Sequence, residues 1–173
     1  MAMTVVIQEL TGGVGPTSTT VTSVTFNRVD TINGTTPIPV PTTLTNFSWV
    51  KTFILNITAT GALTMTNILF GKRTNEATGL QYWARTDEAL IAYTQAIATP
   101  AATAVGVGPD INGSIGTAVD LITVPPAAYS AGPHTTTGQK GNIVEVVVGV
   151  ISTVANTGSA VPLPNMTWQW TEA

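Results

Sequence analysis

The residues able to do chemistry in this chain are few, and most of them fall in one window. Between Lys72 and Glu88 the sequence places Lys72, Arg73, Glu76, Arg85, Asp87 and Glu88 around the aromatic pair Tyr82 and Trp83. Two carboxylates beside an arginine and aromatic rings are the raw material of a glycosidase or of a sugar-binding surface. The spacing argues against catalysis. Asp87 and Glu88 are adjacent, and neighbouring residues of a strand point to opposite faces, so the two cannot flank one scissile bond. The window is therefore expected to act as a polar interaction surface, in a chain that is not an enzyme.

Other reactive constellations are ruled out by composition. There is no cysteine, which removes disulfides, thiol nucleophiles and cysteine-ligated metals together. His134, the single histidine, sits in the loop-like stretch SAGPHTTTGQKG, with no partners in view for a metal site or a triad. GGVG at 12–15 lacks the Gly-Lys-Ser/Thr of a phosphate loop, and Gly106 and Gly108 are followed by Pro109, which breaks a dinucleotide fingerprint. No cofactor and no metal are expected. Six Lys and Arg against nine Asp and Glu, scattered at a net charge of −3, exclude a basic nucleic-acid face.

The elements that would carry these residues read as strands. Phe47, Trp49, Phe53, Leu55 and Ile57 recur at every second position in Asn46–Phe70, so this stretch is expected to be a hairpin at the centre of one sheet. Further strands are expected at Thr4–Leu10, Thr20–Val29, Ala118–Val124 and Asn142–Thr153, the last so continuously apolar that both faces should be buried. Glu145 within it then needs a partner. Met166–Ala173 reads as a closing strand with Trp168 and Trp170 on one face. Ala89–Ala98 reads as a helical turn or two ended by Pro100. The charge-free run from Ala89 to Pro109 is not expected to insert in a membrane, because Thr, Gln, Gly and Pro100 interrupt it. The opening residues lack the basic and long apolar regions of a signal peptide.

Two stretches are expected to lie outside regular pairing. Residues 1–20 contain a Gly-rich break suited to an extended arm. Residues 33–45 carry Pro37, Pro39 and Pro41 at alternate positions, where they cannot donate ladder hydrogen bonds, and this predicts a strap or an edge. Charged residues are only 9% of the chain, against about a quarter in ordinary globular domains, while hydrophobic residues stay at 43%. Thr, Gly, Asn and Pro take the place of charge. That composition suits a surface packed against neighbours. About eight short strands with Pro and Gly in the connections predict one all-β domain over 1–173, an antiparallel β-sandwich or jelly-roll-like barrel with Pro/Gly-rich arms.

The strand NFSWVKTFILNITATG, the following TNILFGK and the closing MTWQWTEA resemble the small all-β virion proteins of bacteriophages, most of all capsid cement or decoration proteins. The resemblance implies binding to the outer surface of an icosahedral shell, with the major capsid protein and copies of the chain itself, often as a homotrimer, for partners. It also implies arms that reach a neighbour, for which Thr11–Thr20 and Thr35–Thr45 are the matching segments. A small single-jelly-roll major capsid protein would share the composition and fold class. The alternative from another class is a carbohydrate-binding or adhesin module using Tyr82, Trp83, Trp168 or Trp170 as a stacking platform.

Overall fold

A computed structural model describes residues 2–13, 15–32, 34–73, 79–86, 93, 95–110, 120–122, 126–151 and 166–173. Ten strands occur among them: β1 (Thr4–Thr11), β2 (Thr17–Thr20), β3 (Thr45–Phe47), β4 (Lys51–Ala59), β5 (Met65–Lys72), β6 (Leu80–Arg85), β7 (Asp120–Leu121), β8 (Ala127–Ser130), β9 (Gly138–Ile151) and β10 (Met166–Glu172). The larger sheet runs β2-β1-β4-β9-β6-β7 with β3 also paired to β9, and the smaller runs β10-β5-β8. Every pairing is antiparallel. The larger sheet curls, and with the smaller one forms a β-sandwich, as the strand pattern predicts. No helix occurs among the described residues. Of the helical turns expected in Ala89–Ala98, residues 93 and 95–98 are non-helical and the others lie outside the described set.

The longest strand, β9, holds the larger sheet together. Its apolar run Val146–Val148 with Val150 is β-branched throughout, which suits a pleated surface buried on both sides. Residues Ile143 to Val150 are all buried. One face meets Phe53, Phe70, Leu80, Tyr82 and Ile122 in the principal core between the sheets. The other face carries Val147 into a second cluster with Phe47, Val50 and Trp83, on which Ala96 packs. On one flank β9 pairs with β4 and then β3, and on the other with β6.

β3 and β4 are one line of chain broken at Ser48–Val50. Ser48 bridges the break: its N–H donates to Val148 O at 2.8 Å, and its hydroxyl accepts from Val148 N–H at 3.0 Å. A side-chain oxygen thus replaces a missing ladder carbonyl. This satisfies a backbone donor that would otherwise be buried without a partner.

Three expectations are corrected here. Asn46–Phe70 is not a hairpin: β4 pairs with β1 and β9 while β5 pairs with β10 and β8, so the Thr60–Leu63 turn carries the chain from one sheet to the other. Alternation shows that a strand buries one face but not which sheet it joins, and here Leu55 and Ile57 meet Met65 and Ile68 across the sandwich. The strand expected over Thr20–Val29 ends at Thr20. Beyond it, Val21, Val24 and Phe26 pack on the core from irregular backbone. The stretch 1–20, read as a candidate arm, is largely folded into the sheet: β1 lies between β2 and β4. The strap keeps its expected character, with residues 34–44 outside any strand, Pro37 and Pro39 exposed and Ile38 turned onto the core.

Gly149 sits where β9 passes under Trp83. A Cβ built on it would lie 2.5 Å from Trp83 Cζ3 and 2.7 Å from Thr45 Cγ2. Replacing Gly149 with Val is expected to destabilise the fold by about 1–3 kcal/mol through overpacking. Denaturant unfolding checks this, and the loss should appear as a shifted midpoint with the slope unchanged.

Candidate functional site

The described residues of the polar window do not form one surface. β6 places Tyr82 and Trp83 on opposite faces of the larger sheet, as neighbours in a strand must be, and both are buried. Tyr82 meets Phe26 edge-on at 5.7 Å in the principal core, while Trp83 meets Phe47 at 5.5 Å in the second cluster. Neither ring can stack on a ligand from solvent. Lys72 and Arg85 are buried as well, and Arg73 is the exposed charge at the end of β5. Asp87, Glu88 and Glu76 lie outside the described residues. Of the strap prolines, Pro37 and Pro39 are exposed and Pro41 is half-buried. Tyr82 and Trp83 serve the core because β6 lies between β9 and β7 inside the sheet.

Charge that the sequence scatters is gathered inside the fold. Lys51 Nζ lies 2.9 Å from Glu9 Oε1, both side chains only 1% exposed, and donates a second hydrogen bond to Thr31 O at 2.7 Å. β1 and β4 put the two side by side on the inner face. The loop after Asn27 closes over them. Asp30 ties that loop down, accepting from Gly12 N–H at 3.1 Å and from Gln95 Nε2 at 2.5 Å. Glu145 finds the partner it needs in Arg85, at 3.9 Å on the adjacent strand. Burial raises Glu9 above the usual carboxylate range, despite the opposing pull of Lys51. Burial and the carboxylates of Asp30, Glu145 and Glu9 push the Tyr93 hydroxyl up to about 12. A raised carboxylate can serve as a general acid, but Glu9 is sealed beneath the loop with no opening to a substrate. The cluster ties strands together. A lone Glu in β1 and a lone Lys in β4, each inside an apolar strand, were the signal in the sequence for this pair.

His134, placed by its sequence in a loop, is half-buried and bridges to Met65 through both backbone groups at 2.9 and 3.0 Å. Its Nε2 lies 3.0 Å from Ser130 Oγ. Among the described residues no group of three His, Cys, Asp or Glu could hold a metal ion.

Among the described residues, a cleft of about 410 Å³ opens between β10 and the segment Val21–Phe26. Met166, Thr167, Trp168 and Trp170 of β10 form one wall, and Val21–Val24, Phe26, Ile7 and Phe53 form the other. Trp168 is held against Phe70 at 4.5 Å and Phe53 at 6.3 Å, and Trp170 is 36% exposed. Only hydroxyls from Thr22, Ser23 and Thr167 add side-chain polarity beyond the indoles, and no ionisable side chain lines the cleft. Such a lining suits a neutral ligand or an uncharged protein segment. The alternating aromatics of β10 pointed to this wall. The opposite wall was hidden because Val21–Phe26 is irregular. No protein family, curated protein or solved structure matches this chain.

Two outcomes are expected. Glu9→Gln or Lys51→Met alone leaves a buried group without its counter-charge and should cost about 3–5 kcal/mol, whereas Glu9→Leu with Lys51→Met should cost far less than either. Chemical denaturation of the three variants checks this. His134 is held below its ordinary pKa, first by burial and then by the Lys140 ammonium. The unfolded chain then binds this proton at higher pH than the folded one. The stability linked to His134 is present above pH ~6.5 and is lost as pH falls through the folded value. Melting temperature should therefore fall on acidification below pH ~6.5 less steeply in His134→Gln than in the parent protein.

Proposed function

We propose that this chain is a structural protein of a bacteriophage virion, lying on the outer surface of an icosahedral capsid and bridging its subunits. The observation that carries the reading is a set of exposed aliphatic side chains on the strap and on the 97–107 segment. Val40 and Leu44 of the strap are exposed, as are Ile97, Val105 and Val107, with Ile97 at 92%. The Thr45–Thr103 bridge joins the two segments. Large aliphatic side chains exposed on irregular backbone favour contact with another protein over contact with water. The interior reinforces this, because Glu9, Lys51, Lys72, Arg85 and Glu145 are buried and leave little charge outside to keep copies or partners apart. Repetition by shell symmetry turns a modest contact of this kind into a tight one. The major capsid protein and further copies of this chain are the partners, with a homotrimer over subunit junctions as the arrangement implied by the resemblance.

A second reading is favoured by the cleft. Trp168 and Trp170 beside three hydroxyls form a stacking wall for a neutral sugar ring, as in an adhesin or carbohydrate-binding module. It predicts a glycan-induced shift in tryptophan fluorescence that Trp170→Ala abolishes.

Co-sedimentation with phage shells lacking the protein tests the first reading. Binding should persist with little loss as salt is raised, since apolar contact is not screened. Leu44→Asp with Ile97→Asp should weaken binding at least tenfold without lowering the melting temperature. A chain that stays in the supernatant at every concentration would sink the proposal.

A further inference from the structure

Among the described strands, β10 is the longest with an unpaired edge. β10 is bonded to β5 on one side, and no described strand pairs with it on the other. At seven residues it exceeds the other edge strands, since β2 and β8 have four each and β7 has two. Free edges are ordinarily blunted by lysine, proline, a bulge or short length. From Met166 to Thr171 there is neither a charge nor a proline. The irregularity in the β5 pairing also spares β10: between the partners Gln169↔Leu69 and Thr171↔Thr66, β10 advances two residues and β5 three, and the extra residue falls near Asn67, which has φ +52°. The outward edge of β10 is thus regular, uncharged and long enough to accept another strand.

What fits it is written in its own sequence. Thr167-Trp168-Gln169-Trp170-Thr171 reads the same in both directions. Antiparallel pairing of this segment with itself about Gln169 sets Trp168 opposite Trp170 of a second copy, Thr167 opposite Thr171, and Gln169 opposite Gln169. Two residues apart on a regular strand, the indoles share one face, which makes two cross-strand tryptophan pairs on one side of the joined sheet. The hydroxyl pairs and the central amides carry no charge to oppose the approach.

We propose that β10 is a homotypic interface, joining two copies of this chain about a two-fold axis at Gln169 into one continuous six-stranded sheet. The contact is isologous, because the same edge serves both partners, and it closes on itself without leading to fibres. It involves copies of this chain alone and stands apart from binding to a capsid shell.

The absence of cysteine makes the register directly testable. Gln169→Cys places one thiol on the axis, and mild oxidation should convert the protein to a species of twice the chain's 17.9 kDa that reductant reverses. Thr171→Cys alone should give no such species, while a mixture of Thr167→Cys and Thr171→Cys chains should cross-link to each other. In sedimentation, Thr167→Lys with Thr171→Lys puts like charges opposite at both ends and should weaken association roughly tenfold. Thr167→Glu with Thr171→Lys puts opposite charges there and should restore it. Thermal melts establish that each variant is folded. A parent protein that stays monomeric at its highest soluble concentration would overturn the interface. So would an oligomer in which Gln169→Cys fails to cross-link, or in which the charge swap gives no recovery. Shell co-sedimentation with Gln169→Cys under reducing conditions is read separately, so a failure of shell binding is not confused with a failure of this contact.

Discussion

Burial of β9 on both faces is the constraint on which the rest of the molecule depends. A strand covered on both sides by apolar groups has no water to satisfy its amides, so each must find another strand or a side chain. This requirement sets β4 and β3 on one flank and β6 on the other. It also explains Ser48, whose hydroxyl takes up the Val148 amide where β3 and β4 part. Gly149 follows from the same crowding, since Trp83 and Thr45 occupy the space a side chain would need.

The scarce charges answer to the same interior. Glu9 with Lys51, and Glu145 with Arg85, are pairs between adjacent strands, bringing together ends of chain 42 and 60 residues apart in sequence. A buried pair gives little net stability over a well-packed apolar one, but it penalises any register that separates its members. In a sheet whose Val-rich strands could slide, that penalty favours one alignment. The surface is left with even less charge than the composition suggests. Exposed Ile97, Leu44 and the uncharged edge of β10 then meet few repulsive neighbours, and this links the internal electrostatics to the proposed life of the protein among copies and partners.

Much of the architecture was legible in the sequence because it follows from local periodicity. Alternating side chains located β4 and β10, strand-favouring composition located β1, and the continuous apolar run located β9 and its two-sided burial, whereas β6 was hidden inside the polar window. The need of Glu145 for a partner followed from that burial. Within the window Lys72–Glu88, the burial of Lys72, Tyr82, Trp83 and Arg85 was not legible, because composition marks where polar groups lie along the chain and not which face of a strand they occupy. Tyr82 and Trp83 diverge into two clusters once β6 is inside the sheet.

The sequence by itself determined that the fold is all-β, that no cysteine or histidine cluster could do chemistry, that the Pro-rich strap stays out of the ladders, and that β10 carries its indoles on one face. These are properties of single residues or of spacing two apart, and they need no knowledge of which strands meet. The tertiary structure alone decided that β4 and β5 belong to different sheets, that Glu9 reaches Lys51, that Val21–Phe26 forms a cleft wall opposite Trp168 and Trp170, and that β10 stands last in its sheet among the described strands. Each of these depends on long-range pairing, where the free energy comes from apolar area shared by segments far apart in the chain. Local pattern carries no information about that choice.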